Sequence, residues 1–282
     1  MLLAECPRDA MQGWREFIPT QQKIDYLNAL MQVGFDVLDC GSFVSPKLIP
    51  QMADTSAVLD NIDKSAAKTK VSVIIANLKG AERALEHSKV DVLGFPFSIS
   101  ETFQFRNTNK RQEEAFSQII QILQDAQRAG KGLRVYLSMA FGNPYGELWK
   151  SEDIYFWVER LSEIGVQEIL LSDTIGVATN ESIRLVFSRI INAFPSIVFG
   201  AHFHTKYEES YTKLKAAYNQ GCRSFDTAIK GFGGCPMAKD QLVGNMPTEQ
   251  MINFLMHEKI EHKLNLLNFE AAYNKAKDIF HF

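Results

Sequence analysis

Ile197-Val198-Phe199-Gly200-Ala201-His202-Phe203-His204 is an apolar run that closes on two histidines. Along a β-strand successive side chains point to opposite faces, so His202 and His204, two apart, project from the same face. Two imidazoles side by side at a rigid strand end suit a divalent cation, because neutral imidazole is a common metal ligand. The competing interpretation is a pair of half-buried histidines bonded to backbone groups. This run decides the fold because it is one of eight. Short apolar, β-rich stretches at 2–6, 36–41, 71–77, 91–97, 134–140, 168–173, 197–204 and 223–229 recur along the chain, and most stretches between them carry apolar residues at helical period, as at 21–33, 112–129, 153–164, 182–194 and 207–219. The alternation predicts a parallel sheet, for which a closed (β/α)8 TIM barrel is the most economical architecture. An open doubly wound sheet is the main competitor, but no glycine-rich dinucleotide fingerprint follows the first strand.

The chain has 282 residues, 46% hydrophobic and 22% charged, the profile of a soluble globular protein with a sizeable core. No linker, low-complexity tract or repeat divides it, so a single domain is expected over 1–282, with the barrel to about 245 and a helical segment, 246–282, after it. Helical patterns at 248–258 and 264–279 close the outside of the barrel or pack on a neighbour, and a homo-oligomer, a dimer, is expected. A net charge of −3 offers no electrostatic reason for a nucleic-acid or anionic-membrane partner. No apolar run reaches the length of a membrane span, and Met1-Leu2-Leu3-Ala4-Glu5 meets a charge too early for a signal peptide, so a cytoplasmic location is expected. Cys6, Cys40, Cys222 and Cys235 lack CxxC or zinc spacing and read as thiols.

The C-terminal strand ends of such a barrel carry the active site. Polar residues collect there: Pro7-Arg8-Asp9 with Gln12, Asp39-Cys40-Gly41-Ser42, Asn77, Ser138, Ser172-Asp173-Thr174 and the two histidines. Asp9 offers a carboxylate oxygen, His202 and His204 nitrogens, and Asn245 an amide oxygen. Two oxygens and two nitrogens with positions to spare suit magnesium or manganese better than a thiolate-bound zinc. Arg8, beside Asp9 on a loop, is the candidate stabiliser of an oxyanion, against the plainer interpretation of a surface ion pair. Gly231-Phe232-Gly233-Gly234-Cys235-Pro236 reads as a lid over the barrel mouth, with Cys235 a candidate proton donor or an inert loop thiol.

These stretches, with GSFVSPK (41–47), Pro50-Gln51-Met52, NLKG (77–80), SDTIG (172–176), AHFH (201–204), GFGGCP (231–236) and Gly244-Asn245, make the chain resemble the 3-hydroxy-3-methylglutaryl-CoA lyases. These are metal-dependent TIM-barrel enzymes related to isopropylmalate and homocitrate synthases. The resemblance implies retro-Claisen cleavage of 3-hydroxy-3-methylglutaryl-CoA, or a close 3-hydroxyacyl-CoA, to acetyl-CoA and a keto acid such as acetoacetate. It implies a magnesium or manganese ion on Asp9, His202, His204 and Asn245, and Arg8 stabilising the enolate. It further implies Cys235 and His202 in proton transfer, Asp39 and Asp173 among the catalytic residues, and Arg15, Asn77 and Lys79 at the CoA. Claisen condensation or aldol cleavage of a 2-oxo acid, and a catalytically silent binding barrel, are the alternatives. Asp39 stands where these lyases have glutamate, Thr205 where an aspartate follows the second histidine, and Asn143 where they have a cysteine; the Cys235 loop is one residue longer.

Overall fold

The computed structural model describes residues 1–65, 67–234 and 243–282. Its strands are β1 (Leu2–Glu5), β2 (Val37–Ser42), β3 (Lys70–Ile74), β4 (Val92–Ser98), β5 (Gly132–Ser138), β6 (Glu168–Asp173), β7 (Val198–Phe203) and β8 (Ser224–Thr227). Each pairs in parallel with the next and β8 pairs with β1, closing the barrel in sequence order. The helices are α1 (Pro7–Gln12), α2 (Thr20–Met31), α3 (Thr55–Asn61), α4 (Leu78–Leu85), α5 (Glu101–Thr108), α6 (Gln112–Arg128), α7 (Ser151–Glu163), α8 (Asn180–Ala193), α9 (Ser210–Asn219), α10 (Thr248–His257) and α11 (Leu266–Phe280).

The long helices follow their periodicity. In α6, Ala115, Phe116, Ile119, Ile122, Leu123 and Ala126 form one buried stripe at three- and four-residue spacing. The sequence periodicity had not singled out α1, α3, α4 and α5, which run only six to eight residues. Two turns are too short for an apolar period to register, and the signals that start three of them are local. Pro7 opens α1, the Asn77 side chain caps α4 by accepting from Gly80 N, and Ser100 caps α5 by accepting from Phe103 N.

Most of the core lies between the sheet and its helices. The barrel lumen holds a separate, small apolar cluster of Ile74, Tyr136 and Leu170. Where branched aliphatics commonly fill such a lumen, this one also encloses Arg134, 1% exposed, which bonds Asp226 at 3.2 Å and Glu168 at 2.6 Å. After β8 the chain crosses back, and α11 packs against α2. There Phe280 lies 5.3 Å from Trp14 and 4.6 Å from Phe232, ring centre to ring centre. The C-terminal helix thus closes the outside of the barrel. Cys6, Cys40 and Cys222 are buried free thiols. Among the described residues, no helix is long and apolar enough to cross a membrane.

Candidate active site

Arg8 and Asp9 were expected on a loop. They occupy the first turn of α1 instead, because Pro7 presets a helical φ directly after β1. Their side chains are 8% and 11% exposed, which removes the surface-pair interpretation. Arg8 Nη1 donates to Asp9 Oδ1 at 2.7 Å and to Gln12 Oε1 at 3.0 Å. Arg8 Nε and Nη2 meet Asp39 Oδ2 at 2.8 and 2.6 Å. A guanidinium has five N–H groups, so among the described residues this arrangement leaves one Nη2–H uncommitted, and Arg8 lines the main cavity.

His202 and His204 come from the end of β7. Their Nδ1 atoms lie 3.1 Å from Asp226 Oδ2 and 2.9 Å from the Thr174 carbonyl oxygen, and Nε2 of each ring has no hydrogen-bond partner among the described residues. Asp9, His202 and His204 each offer a ligand atom within 4.8 Å of the others. Asn245 bridges to His204 through the backbone, and its Nδ2 donates to Asp9 Oδ2 at 2.7 Å and to the Phe232 carbonyl at 2.8 Å. With both amide hydrogens engaged, the Asn245 carbonyl oxygen is turned away from those partners. Gly233, at φ +102°, permits this approach: a Cβ there would fall on the Asn245 amide and 2.8 Å from the Asp9 carbonyl oxygen.

Burial works against the Asp9 carboxylate, but Arg8, the two imidazoles and the Asn245 amide outweigh it and hold its pKa down to about 2. Burial, aided by His202, lowers His204 to about 4, so its ring is neutral at pH 7 with a lone pair to offer. His202 is shifted the other way: burial lowers its pKa, but the Asp226 carboxylate overcomes that and leaves it raised. Along the barrel axis Asp9, Asp39, Asp226 and Glu168 face Arg8 and Arg134, a formal surplus of two negative charges. An ionised carboxylate, two imidazoles of which His204 is neutral at pH 7, and an amide oxygen under that surplus fit a divalent cation. Cys6, His202 and Asp226 also converge within 4.8 Å. There, however, Asp226 is committed to Arg134, and burial pushes the Cys6 thiol well up, so that group keeps a proton instead.

The main cavity has a volume of about 510 Å³, with Arg8, Asp9, His202 and His204 on its wall beside the apolar Val44, Leu48 and Ile49. Ser138, Ser172 and Thr174 join them, as their strand ends implied. Other expected residues lie elsewhere. Asp39 sits behind Arg8 with Oδ1 unpartnered, and burial raises its pKa despite the guanidinium. Asp173 is not on the cavity wall. It accepts from Val177 N and Ala178 N and pairs with Lys213 at 3.2 Å, folding the turn after β6. Asn77 is committed to its cap, Arg15 and Lys79 are exposed, and none of the three lines the cavity. Arg106 and Asn107 of α5 do line it, and the sequence had not singled them out. Cys235 lies outside the described residues.

The remaining motif residues build loops. Gln51 takes Ile18 N on its Oε1 and donates from Nε2 to the Trp14 and Glu16 carbonyls, tying the loop after β2 to that after α1. Asn143 accepts from Tyr145 N and Glu147 N and so shapes the turn after β5. Thr205 brings no carboxylate toward the histidines, but Asp226 does. Sequence reading missed Asp226, Arg134, Glu168 and Lys213; for the first three the available signal was a charge within an apolar strand, and Lys213 lies in α9.

The HMGL-like family model matches residues 2–275. The chain is 34% identical over 266 residues to the cytoplasmic 3-hydroxy-3-methylglutaryl-CoA lyase of Danio rerio, covering 94% of this chain and 78% of that protein. It is also 34% identical over 260 residues to the mitochondrial hydroxymethylglutaryl-CoA lyase of Mus musculus, covering 92% and 79%. Among solved structures, an HMG-CoA lyase from Acenitobacter baumannii in complex with coenzyme A and 3-methylmalate superposes with a TM-score of 0.91 at 29% identity, covering 98% of this chain and 90% of that one.

Proposed function

The chain belongs to the HMGL-like family, and from that premise we propose that it is a metal-dependent lyase that cleaves 3-hydroxy-3-methylglutaryl-CoA, or a close 3-hydroxyacyl-CoA, to acetyl-CoA and a keto acid such as acetoacetate. The observation that carries this reading is the convergence of Asp9, His202 and His204 beside a guanidinium with one uncommitted N–H, on the wall of a single cavity. A magnesium or manganese ion on Asp9, His202, His204 and Asn245 supplies Lewis acidity toward substrate oxygens. A base takes the proton of the tertiary hydroxyl, the hydroxyl oxygen becomes the ketone, and the electron pair of the breaking carbon–carbon bond moves into the thioester enolate. Arg8 meets that oxyanion with its remaining Nη2–H, held in place by three hydrogen bonds and the Nη2 ion pair with Asp39, which need no rearrangement. The enolate carbon then takes a proton, for which Cys235 is the candidate. His202 presents one nitrogen to the cavity, so it serves as ligand or as base, not both at once, and we assign it as a ligand. Asp39 orients Arg8, and Asp173 orders the β6 turn.

Arg106 reaches the same cavity and suits an anionic part of an acyl-CoA better than Arg15, Asn77 or Lys79. The coenzyme A complex of the A. baumannii relative supports acyl-CoA as the ligand class. A cytoplasmic location is proposed on the likeness to the D. rerio relative and is tested by cell fractionation. Sedimentation equilibrium tests the expected homodimer, and limited proteolysis tests the single domain. The central experiment follows acetyl-CoA release from 3-hydroxy-3-methylglutaryl-CoA with and without manganese, beside 2-oxo acid substrates. Metal-dependent release is expected. No turnover with any acyl-CoA thioester would refute the lyase assignment.

A further inference from the structure

The last registered pairs between β7 and β8 are Gly200 with Ser224 and Ala201 with Phe225. Continued one step, that register sets His202 beside Asp226, both turned into the lumen. Asp226 Oδ2 lies 3.1 Å from His202 Nδ1, while Asp226 Oδ1 receives Arg134 Nη1 at 3.2 Å. Arg134 reaches across the lumen from β5, and its other terminal nitrogen donates to Glu168 Oε1 at 2.6 Å, at the opposite end of the barrel from the site. Asp226 and Arg134 are 3% and 1% exposed. The result is a buried chain, His202–Asp226–Arg134–Glu168, running down the barrel axis.

We propose that Asp226 is a positioning residue that fixes the orientation and tautomer of His202, and that Arg134 dictates how position 226 can present itself. The proposal rests on the assignment of His202 as a metal ligand. A carboxylate only accepts hydrogen bonds, so Asp226 requires the hydrogen on Nδ1 and directs the Nε2 lone pair toward Asp9 and His204. Arg134 only donates, so one side of residue 226 must always be an acceptor. An asparagine at 226 would therefore turn its carbonyl oxygen to Arg134 and its NH2 to His202. Nδ1 would become an acceptor, the hydrogen would move to Nε2, and the nitrogen facing the cavity would lose its lone pair. Geometry would survive while the donor was lost. Among the described residues Cys6 and Tyr136 also stand near this pair; the Cys6 S–H is too weak to reverse that preference, and Tyr136 meets His202 edge to face, 5.4 Å between ring centres.

The test is 15N NMR of the cation-free protein labelled at histidine, recorded at a pH high enough that the His202 ring is neutral, with His202 assigned through His202→Gln, together with manganese titration calorimetry. Wild type is expected in the Nδ1–H tautomer and Asp226→Asn in the Nε2–H tautomer. Manganese affinity should fall roughly 10–100-fold, the usual effect of removing a partner behind a metal-binding histidine. The double variant Arg134→Met/Asp226→Asn frees the amide to turn back and should regain Nδ1–H and part of the affinity, a rescue that general loosening of the barrel would not produce. Thermal melts identify variants that fail to fold, and the wild-type tautomer needs no variant. An Nε2–H tautomer in wild type overturns the proposal, as does unchanged manganese affinity in folded Asp226→Asn. If His204→Ala also left manganese affinity unchanged, the metal assignment itself would fail; if only Asp226→Asn did, this proposal alone would.

Discussion

Glu5, at the end of β1, is fully buried. Its Oε1 accepts from Ile229 N at 2.7 Å, and its Oε2 from Thr248 Oγ1 at 2.6 Å and Thr227 Oγ1 at 3.1 Å. These bonds tie the strand that delivers Arg8 and Asp9 to β8 and to the start of α10. Burial is the largest influence on the carboxyl, and although the hydrogen bonds offset part of it, the pKa rises from 4.5 to about 8. Between those values the folded chain holds a proton that the unfolded chain has released. Stability from this group is therefore full below about pH 4.5, declines as pH rises, and is lost above about pH 8. At about 1.4 kcal/mol per unit, the decline amounts to roughly 5 kcal/mol, a large share of a typical folding free energy. Glu5→Gln keeps the shape and removes the titration. Urea unfolding of both proteins at constant ionic strength from pH 5 to 8.5 should give a variant that gains on wild type as pH rises, by several kcal/mol at the alkaline end. Parallel stability curves across that range would refute the reasoning.

His204→Ala should leave the fold intact and cost more manganese affinity than the roughly 10–100-fold typical of an outer partner; calorimetry checks it, and unchanged affinity removes His204 from the ligand set. Arg8→Lys should lower kcat roughly 100-fold with a smaller change in KM, because an ammonium cannot keep both Asp39 and Asp9 while still pointing a donor at an oxyanion; steady-state kinetics decide, and wild-type kcat would contradict the assigned role. Cys235→Ser should lower kcat by a similar factor, as expected for loss of a proton donor used after bond breaking, and an unchanged kcat excludes the thiol from that step. Lys213→Met strands the buried Asp173 carboxylate and should destabilise the protein by about 3–5 kcal/mol in urea melts; a loss below about 1 kcal/mol would mean that the pair does not brace the β6 turn.

The eight strands and the facing histidines are legible in the sequence because their cause is local. An apolar run of strand length with a two-residue side-chain alternation carries its own signature, and His202 and His204 share a face on any strand that contains them. Asp9 and Arg8 were found for the same reason, as charges placed directly after a strand. The side chains behind them follow other rules. Whether a strand-end carboxylate turns to the cavity or to its own loop depends on where the strand stops and how the turn folds, which is why Asp39 lies behind Arg8 and Asp173 binds Lys213 and two backbone N–H groups. Asn77, with its polar side chain after β3, proved to be the cap of a helix too short to announce itself. Asp226, Arg134 and Glu168 lie in three different strands, and nothing in their separate neighbourhoods relates them. Closure of the barrel alone places β5 across the lumen from β8 and sets Asp226 beside His202. That register is fixed by the sum of hydrogen bonds and packing around the whole ring, a property no single stretch of sequence carries.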